Sequence, residues 1–143
     1  MPPELAAQFL RRKRLHKYFV SLPEGARDWI AGTITDAKKP ATRLRRAERA
    51  IEWLTEVMEA ERDLPPAFVR AFARNPKARQ GWDAMPRGRR QIYLLTIFES
   101  RYDDTRAICL ERAINEMAQY ADDLKRFPPG KTIRITASGS ENI

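Results

Sequence analysis

Residues 42–54 read TRLRRAERAIEWL, and residues 105–117, 63 positions further on, read TRAICLERAINEM. Both stretches open with Thr-Arg and share Glu-Arg-Ala-Ile, at Glu48–Ile51 and Glu111–Ile114. Leu44, Ala47, Ile51, Leu54 and Met58 are spaced by threes and fours, as are Ala107, Leu110, Ile114, Met117, Ala121 and Leu124. That is the apolar stripe of an amphipathic helix, and its return in the same register predicts two long helices facing one core. Glu48, Arg49, Glu52 and Glu56 take the other sides, where pairs at helical spacing stabilise by about 0.2–0.5 kcal/mol each.

Outward from these helices the match continues. Residues 2–54 align with residues 65–117 without a gap, and fifteen of the 53 positions are identical. Pro2-Pro3 returns as Pro65-Pro66, Phe9 as Phe72, Pro23-x-Gly25-x-Arg27 as Pro86-x-Gly88-x-Arg90, and Thr33-Ile34 as Thr96-Ile97. A tandem duplication explains this pattern, so the unit of the fold is the repeat. Upstream of each long helix, Trp29-Ile30 and Thr33-Ile34 mark a second helical stretch, matched by Ile92-Tyr93 and Thr96-Ile97. Leu94, Leu95 and Phe98 broaden the later copy, which suggests that the C-terminal repeat is the more buried one. Each repeat opens with apolar residues at Leu5, Phe9, Leu15, Phe19 and Leu22, then at Phe68, Phe72, Ala78, Trp82 and Met85. Asn75-Pro76 divides the second of these runs as a cap followed by a first helical proline, while Arg12-Lys13 stands there in the first, predicting that its two short helices run together.

No alternating strand pattern of useful length occurs. The expectation is therefore an all-α chain with about four helices per repeat and about eight in all, packed as one pseudo-two-fold bundle. Its divisions are residues 1–63, residues 64–126 and a flexible C-terminal tail, residues 127–143, where Pro128-Pro129-Gly130 stops the last helix and a short extended piece fits 132–136.

Composition agrees with a globular domain. The chain has 143 residues, 43% hydrophobic and 32% charged, with six glycines, which excludes disordered and low-complexity classes. Lys plus Arg number 27 against 19 Asp plus Glu, a formal charge of +8, which makes a polyanion a candidate partner. The charge is shared: residues 1–63 carry 13 basic and 10 acidic groups, and residues 64–126 carry 12 and 8. One cysteine, Cys109, allows no internal disulfide. The N-terminal basic cluster follows a short apolar stretch instead of preceding a long one, and no run approaches about 18 apolar residues. A soluble cytoplasmic chain without a membrane span is the expectation.

The spaced positions Phe68, Phe72, Asn75-Pro76, Ala78, Trp82, Met85-Pro86, Arg89-Arg90, Ile97, Thr105-Arg106 and Glu111–Ile114 resemble the helical domain of the YdeI/OmpD-associated (OmdA) family of bacterial proteins. The first repeat resembles it too, through Asp36-Ala37-Lys38-Lys39-Pro40-Ala41-Thr42-Arg43 and Arg46, although it lacks Asn-Pro; the second has Ser100-Arg101 in place of Ala37-Lys38. The resemblance implies a non-catalytic protein linked to stress or antimicrobial resistance, with a protein or an anionic envelope component as partner.

Three groups of residues are candidates for chemistry. Thr42 and Thr105 are expected to cap the long helices, with Arg43 and Arg106 in their first turns. A cation there opposes the helix dipole, so a carboxylate (Asp36, Glu48, Glu99 or Glu111) or a bound anion should lie nearby. Arg49 and Arg112 join them as candidates for anion binding or structural ion pairs, and the structural version is favoured. Arg11, Arg12, Lys13, Arg14 and Lys17 form a basic patch in which His16, Tyr18 and Phe19 supply rings that could stack on bases, the pattern of a nucleic-acid-binding module, weighed against a plain solvated helix face. A third reading is a small enzyme or carrier holding an anionic ligand in a pocket between the repeats lined by Thr42, Arg43, Thr105 and Arg106. His16, without ligand partners at metal-binding spacing, reads as a surface residue, and Cys109 as a packing residue. No Gly-rich phosphate loop, nucleophile elbow or paired acids are present, so neither metal, cofactor nor catalysis is expected.

Overall fold

The computed structural model describes residues 1–127. Among them lie eight α-helices: α1 (Pro3–Phe9), α2 (Lys13–Ser21), α3 (Glu24–Thr35), α4 (Pro40–Arg62), α5 (Pro66–Arg74), α6 (Pro76–Ala84), α7 (Arg87–Phe98) and α8 (Asp103–Arg126). Every helix of the second repeat begins 63 residues after its counterpart. The chain is all-α and built of two tandem helical repeats. The tail expected at 127–143 lies, from residue 128 on, outside the described residues.

Prolines set many of the starts. Pro3, Pro40, Pro66 and Pro76 occupy first-turn positions, where a missing N–H leaves no helical bond unmade. Asn75 caps α6, its side-chain oxygen accepting from the Ala78 N–H at 3.2 Å.

Two local expectations are overturned. Residues 3–21 of the first repeat do not run together, since the helix breaks between Phe9 and Lys13. Leu5 and Phe9 form one stripe and Leu15, Tyr18, Phe19 and Leu22 another, but six residues from Phe9 to Leu15 turn an unbroken helix well away from the core. Arg12 does the work that Asn-Pro does later: its N–H bonds to Phe9 O at 2.9 Å and its guanidinium to Gln8 O at 2.8 Å, closing the end of α1. Thr42 and Thr105 do not cap either, because α4 starts at Pro40 and α8 at Asp103, with Lys39 and Tyr102 before them making no side-chain cap. Asp103 and Asp104 instead place negative charge in the first turn of α8.

The long helices organise the packing. Helix α4 is surrounded by α1, α2, α3 and α7, and buries Ala47, Ala50, Ile51, Trp53, Leu54, Val57 and Ala60. Helix α8 packs on α5, α6 and α7. Burial thus divides unevenly: α7 is more buried than α3, whereas α4 of the first repeat is more buried than α8. The two copies differ where Tyr18 of α2 is replaced by Gly81 of α6. A Cβ at Gly81 would overlap the Met117 carbonyl oxygen and come within 2.9 Å of its carbon, so glycine lets α6 lie directly on the backbone of α8. Tyr18 keeps α2 further from α4.

The repeats meet through α4 and α7. A strict two-fold would repeat this packing between α8 and α3, and among the described residues that pair is not one of the principal helix packings. The bundle shares one continuous core, with the α4–α7 packing lacking a principal α8–α3 counterpart among the described residues.

Candidate functional site

The Thr-Arg motif is worked differently in its two copies. Arg43 lays its guanidinium edge-on to Glu4 of α1, Nε at 3.0 Å and Nη2 at 3.2 Å from the two carboxylate oxygens, while Nη1 donates to Thr35 O at 3.3 Å. These bonds hold the Glu4 carboxyl below the usual carboxylate range. Arg46 adds a bond to Thr33 O at 2.9 Å, so both cations close the carbonyl end of α3.

In the second repeat residue 67, the counterpart of Glu4, is alanine. Arg106 keeps the carbonyl contacts, to Ser100 O at 2.5 Å and Phe98 O at 3.5 Å. For a carboxylate it crosses the seam to Glu56 of α4, at 2.8 and 3.0 Å. The anionic partners are therefore Glu4 and Glu56, not Asp36, Glu48, Glu99 or Glu111; both lie on other helices, beyond the reach of a reading along the chain. Arg43 and Glu56 are 13 residues apart on α4, about 20 Å at 1.5 Å per residue, so Arg106 sits far from Arg43. The four Thr-Arg residues do not line one pocket.

Arg49 also serves the seam. It donates to Glu99 O at 2.8 Å and Phe98 O at 3.4 Å, and its other nitrogen lies 3.4 Å from Glu52. Trp53 donates its indole N–H to Leu95 O at 2.9 Å and meets Trp29 edge-on at 5.1 Å. Arg112, the counterpart of Arg49, is exposed and makes no ion pair among the described residues.

A second polar cluster closes the other end of the seam. The Glu61 carboxylate accepts from Arg87 Nε at 2.6 Å, Tyr18 Oη at 2.8 Å and Gln91 Nε2 at 3.3 Å. Burial alone would raise the Glu61 pKa; the bonds from Arg87, Tyr18 and Gln91 outweigh it and lower it. Burial and the same carboxylate push the Tyr18 phenol well up. Repeat matching misses this cluster because the counterparts of Tyr18, Glu61, Arg87 and Gln91 are Gly81, Leu124, Glu24 and Asp28.

In the basic patch Arg11, Lys13, Arg14 and Lys17 are exposed and form no ion pair among the described residues, while Arg12 is engaged with Gln8. The aromatic half of the patch is not as expected: Tyr18 and Phe19 are buried, and His16 stacks on Phe9 at 4.8 Å. The Tyr18 and Phe19 rings serve the core because α2 turns its apolar stripe inward, while His16 is exposed, as expected of a surface residue. Cys109 is half-buried in the groove between α7 and α8. No group of three or more His, Cys, Asp or Glu residues able to hold a metal occurs among the described residues, and no helix there is long and apolar enough to cross a membrane.

No curated protein and no solved structure matches the chain. One family model does, twice, over residues 1–56 and 61–120, in step with the two repeats. The chain therefore belongs to the bacteriocin-protection, YdeI or OmpD-associated family, OmdA, and carries its domain in tandem.

Proposed function

We propose that this chain is a non-catalytic, protein-binding member of its family, acting in stress or antimicrobial resistance through contacts with another protein. The observation that carries this is the employment of the motif arginines. Arg43, Arg49 and Arg106 are spent on carboxylates and on the carbonyl ends of α3 and α7, so the residue types most suited to an anionic substrate hold helices together. What remains distinctive is surface: exposed apolar side chains at Leu10, Val20, Val69 and Ile108, and an open groove between α7 and α8. The test is photo-cross-linking in the bacterium that encodes the chain, followed by nuclease treatment. Recovery of one defined protein partner is expected; recovery of nothing, or of nucleic acid alone, would overturn the proposal.

A second reading, nucleic-acid binding, is favoured by one observation, the unpaired exposed cations Arg11, Lys13, Arg14 and Lys17 on a single short segment. Titration with short DNA and RNA duplexes and single strands at about 50 and 200 mM salt separates the two, because contacts made only through net charge lose orders of magnitude over that range.

A further inference from the structure

The groove between α3 and α4 in the first repeat has a counterpart between α7 and α8 in the second. Thr33, Arg49 and Ala50 line the first; Thr96, Arg112 and Ala113, each 63 residues later, line the second. The first is engaged within the chain. The C-terminal end of α7 lies against it, with Glu99 on its wall and the Phe98 and Glu99 carbonyls bound by Arg49. The second groove, of about 300 Å³, has the same arginine in the same place, exposed, with Arg89 on the facing helix, Ile92, Tyr93 and Cys109 as its apolar lining, and one carboxylate, Glu116, which accepts from Tyr93 Oη at 2.9 Å.

We infer that the α7–α8 groove is a docking site for the C-terminal end of a helix carrying an acidic cap residue, presented by a partner protein. This rests on the protein-binding reading above and deepens it. The occupant follows from the duplication, since the equivalent groove of the first repeat, built around the equivalent arginine, holds a helix end. Arg112, exposed and without an ion pair among the described residues, suits the carbonyl end of a helix and its carboxylate, which carry negative charge together, while Arg89 lies over the Tyr120 ring at 4.6 Å.

A second copy of this chain is the other occupant to weigh, with α3 adding on as α7 does. The face has been altered against it. Glu56, which pairs with Arg106, becomes Gln119, and Glu61, which holds Arg87 and Tyr18, becomes Leu124. In a head-to-tail copy Leu124 would also face Glu24 where Glu61 meets Arg87. Of the seam's polar anchors only the arginine is kept, so the groove retains helix-end recognition while the self-matching contacts are gone.

Cys109, the single cysteine, lies in the groove and reports on its occupancy. The probe is a lactam-stapled peptide of residues 90–100, RQIYLLTIFES, with an amidated C-terminus, added to the full chain. The expected result is saturable protection of the Cys109 thiol from a disulfide reagent, with ¹⁵N shift changes at Thr96, Arg112 and Ala113. Arg112→Glu should weaken binding about tenfold or more, the scale of a lost charge-assisted hydrogen bond. A peptide with Arg in place of its Glu should recover part of that loss on the R112E chain. Far-ultraviolet circular dichroism and the urea midpoint check that R112E is folded. No protection, or protection indifferent to R112E, overturns the site. Shift changes elsewhere on the surface also overturn it while leaving the protein-binding reading intact, which falls only if cross-linking yields no partner.

Discussion

Replacing Gly81 with alanine tests the account of how the second repeat closes. The new Cβ would overlap the Met117 carbonyl oxygen and lie 2.9 Å from its carbon and 3.4 Å from the Ala121 nitrogen, all backbone atoms of α8. No side-chain rotation relieves this, so α6 and α8 must separate, disturbing the buried Ala78 and Trp82. Overpacking of this kind costs about 1–3 kcal/mol, and a clash with backbone belongs near the upper figure. Helix propensity offsets about 1 kcal/mol, because alanine outranks glycine by that amount in a helix. The net expectation is a loss of about 2 kcal/mol. Gly32, inside α3, is the matched control: a Cβ there meets nothing within 4 Å, so Gly32→Ala should stabilise by about 0.5–1 kcal/mol. Urea unfolding followed by tryptophan fluorescence measures both. At a slope of about 2 kcal/mol per molar, G81A should lower the midpoint by about 1 M while G32A raises it slightly. A G81A midpoint at or above the unsubstituted chain's would refute the direct packing of α6 on α8.

Other outcomes follow from the seam. Trp53→Phe keeps an aromatic ring but leaves the Leu95 carbonyl without its indole donor, and should cost about 1–3 kcal/mol in the same urea assay. Glu61 has a folded-state pKa below its usual value near 4.5, so its contribution is present above that pH and is lost as pH falls through the folded value. Glu61→Gln should therefore be less stable at pH 7 and lose less on going to pH 3.5; an unchanged pH dependence would remove the cluster from the seam's energetics. Replacing Arg11, Lys13, Arg14 and Lys17 together with alanine should change stability by less than about 1 kcal/mol, these side chains being exposed and unpaired. A large loss of stability in this fourfold variant would show that the patch is part of the fold.

Much of the architecture could be read before any coordinates, because local rules decide it. The helix start at Pro76, the Asn75 cap and the spacing of the apolar stripes depend on neighbours within a turn or two. The duplication supplied a second, independent copy of each signal. The same logic misled where one copy lacked the signal, at Arg12-Lys13, since an arginine closing a helix through backbone carbonyls has no fixed sequence signature. Thr42 and Thr105 misled for a related reason: Pro40 and the acidic pair Asp103-Asp104 begin the helices earlier than the threonines suggest.

The sequence by itself determined the helical repeat, its length, the family and most core-facing residues; Leu44 and Ala107, at the starts of the two apolar stripes, are exposed. Tertiary structure alone decided what the repeated arginines do. Arg43 and Arg106 occupy equivalent positions and differ in partner because alanine replaces Glu4 at residue 67 and a carboxylate from α4 lies across the seam. Arg49 and Arg112 are equivalent too, yet one holds a helix end and the other faces an open groove. Helix formation depends on short-range spacing, which a duplication copies faithfully. Ion pairing and docking depend on which distant segments are brought within about 3 Å, which a duplication does not copy.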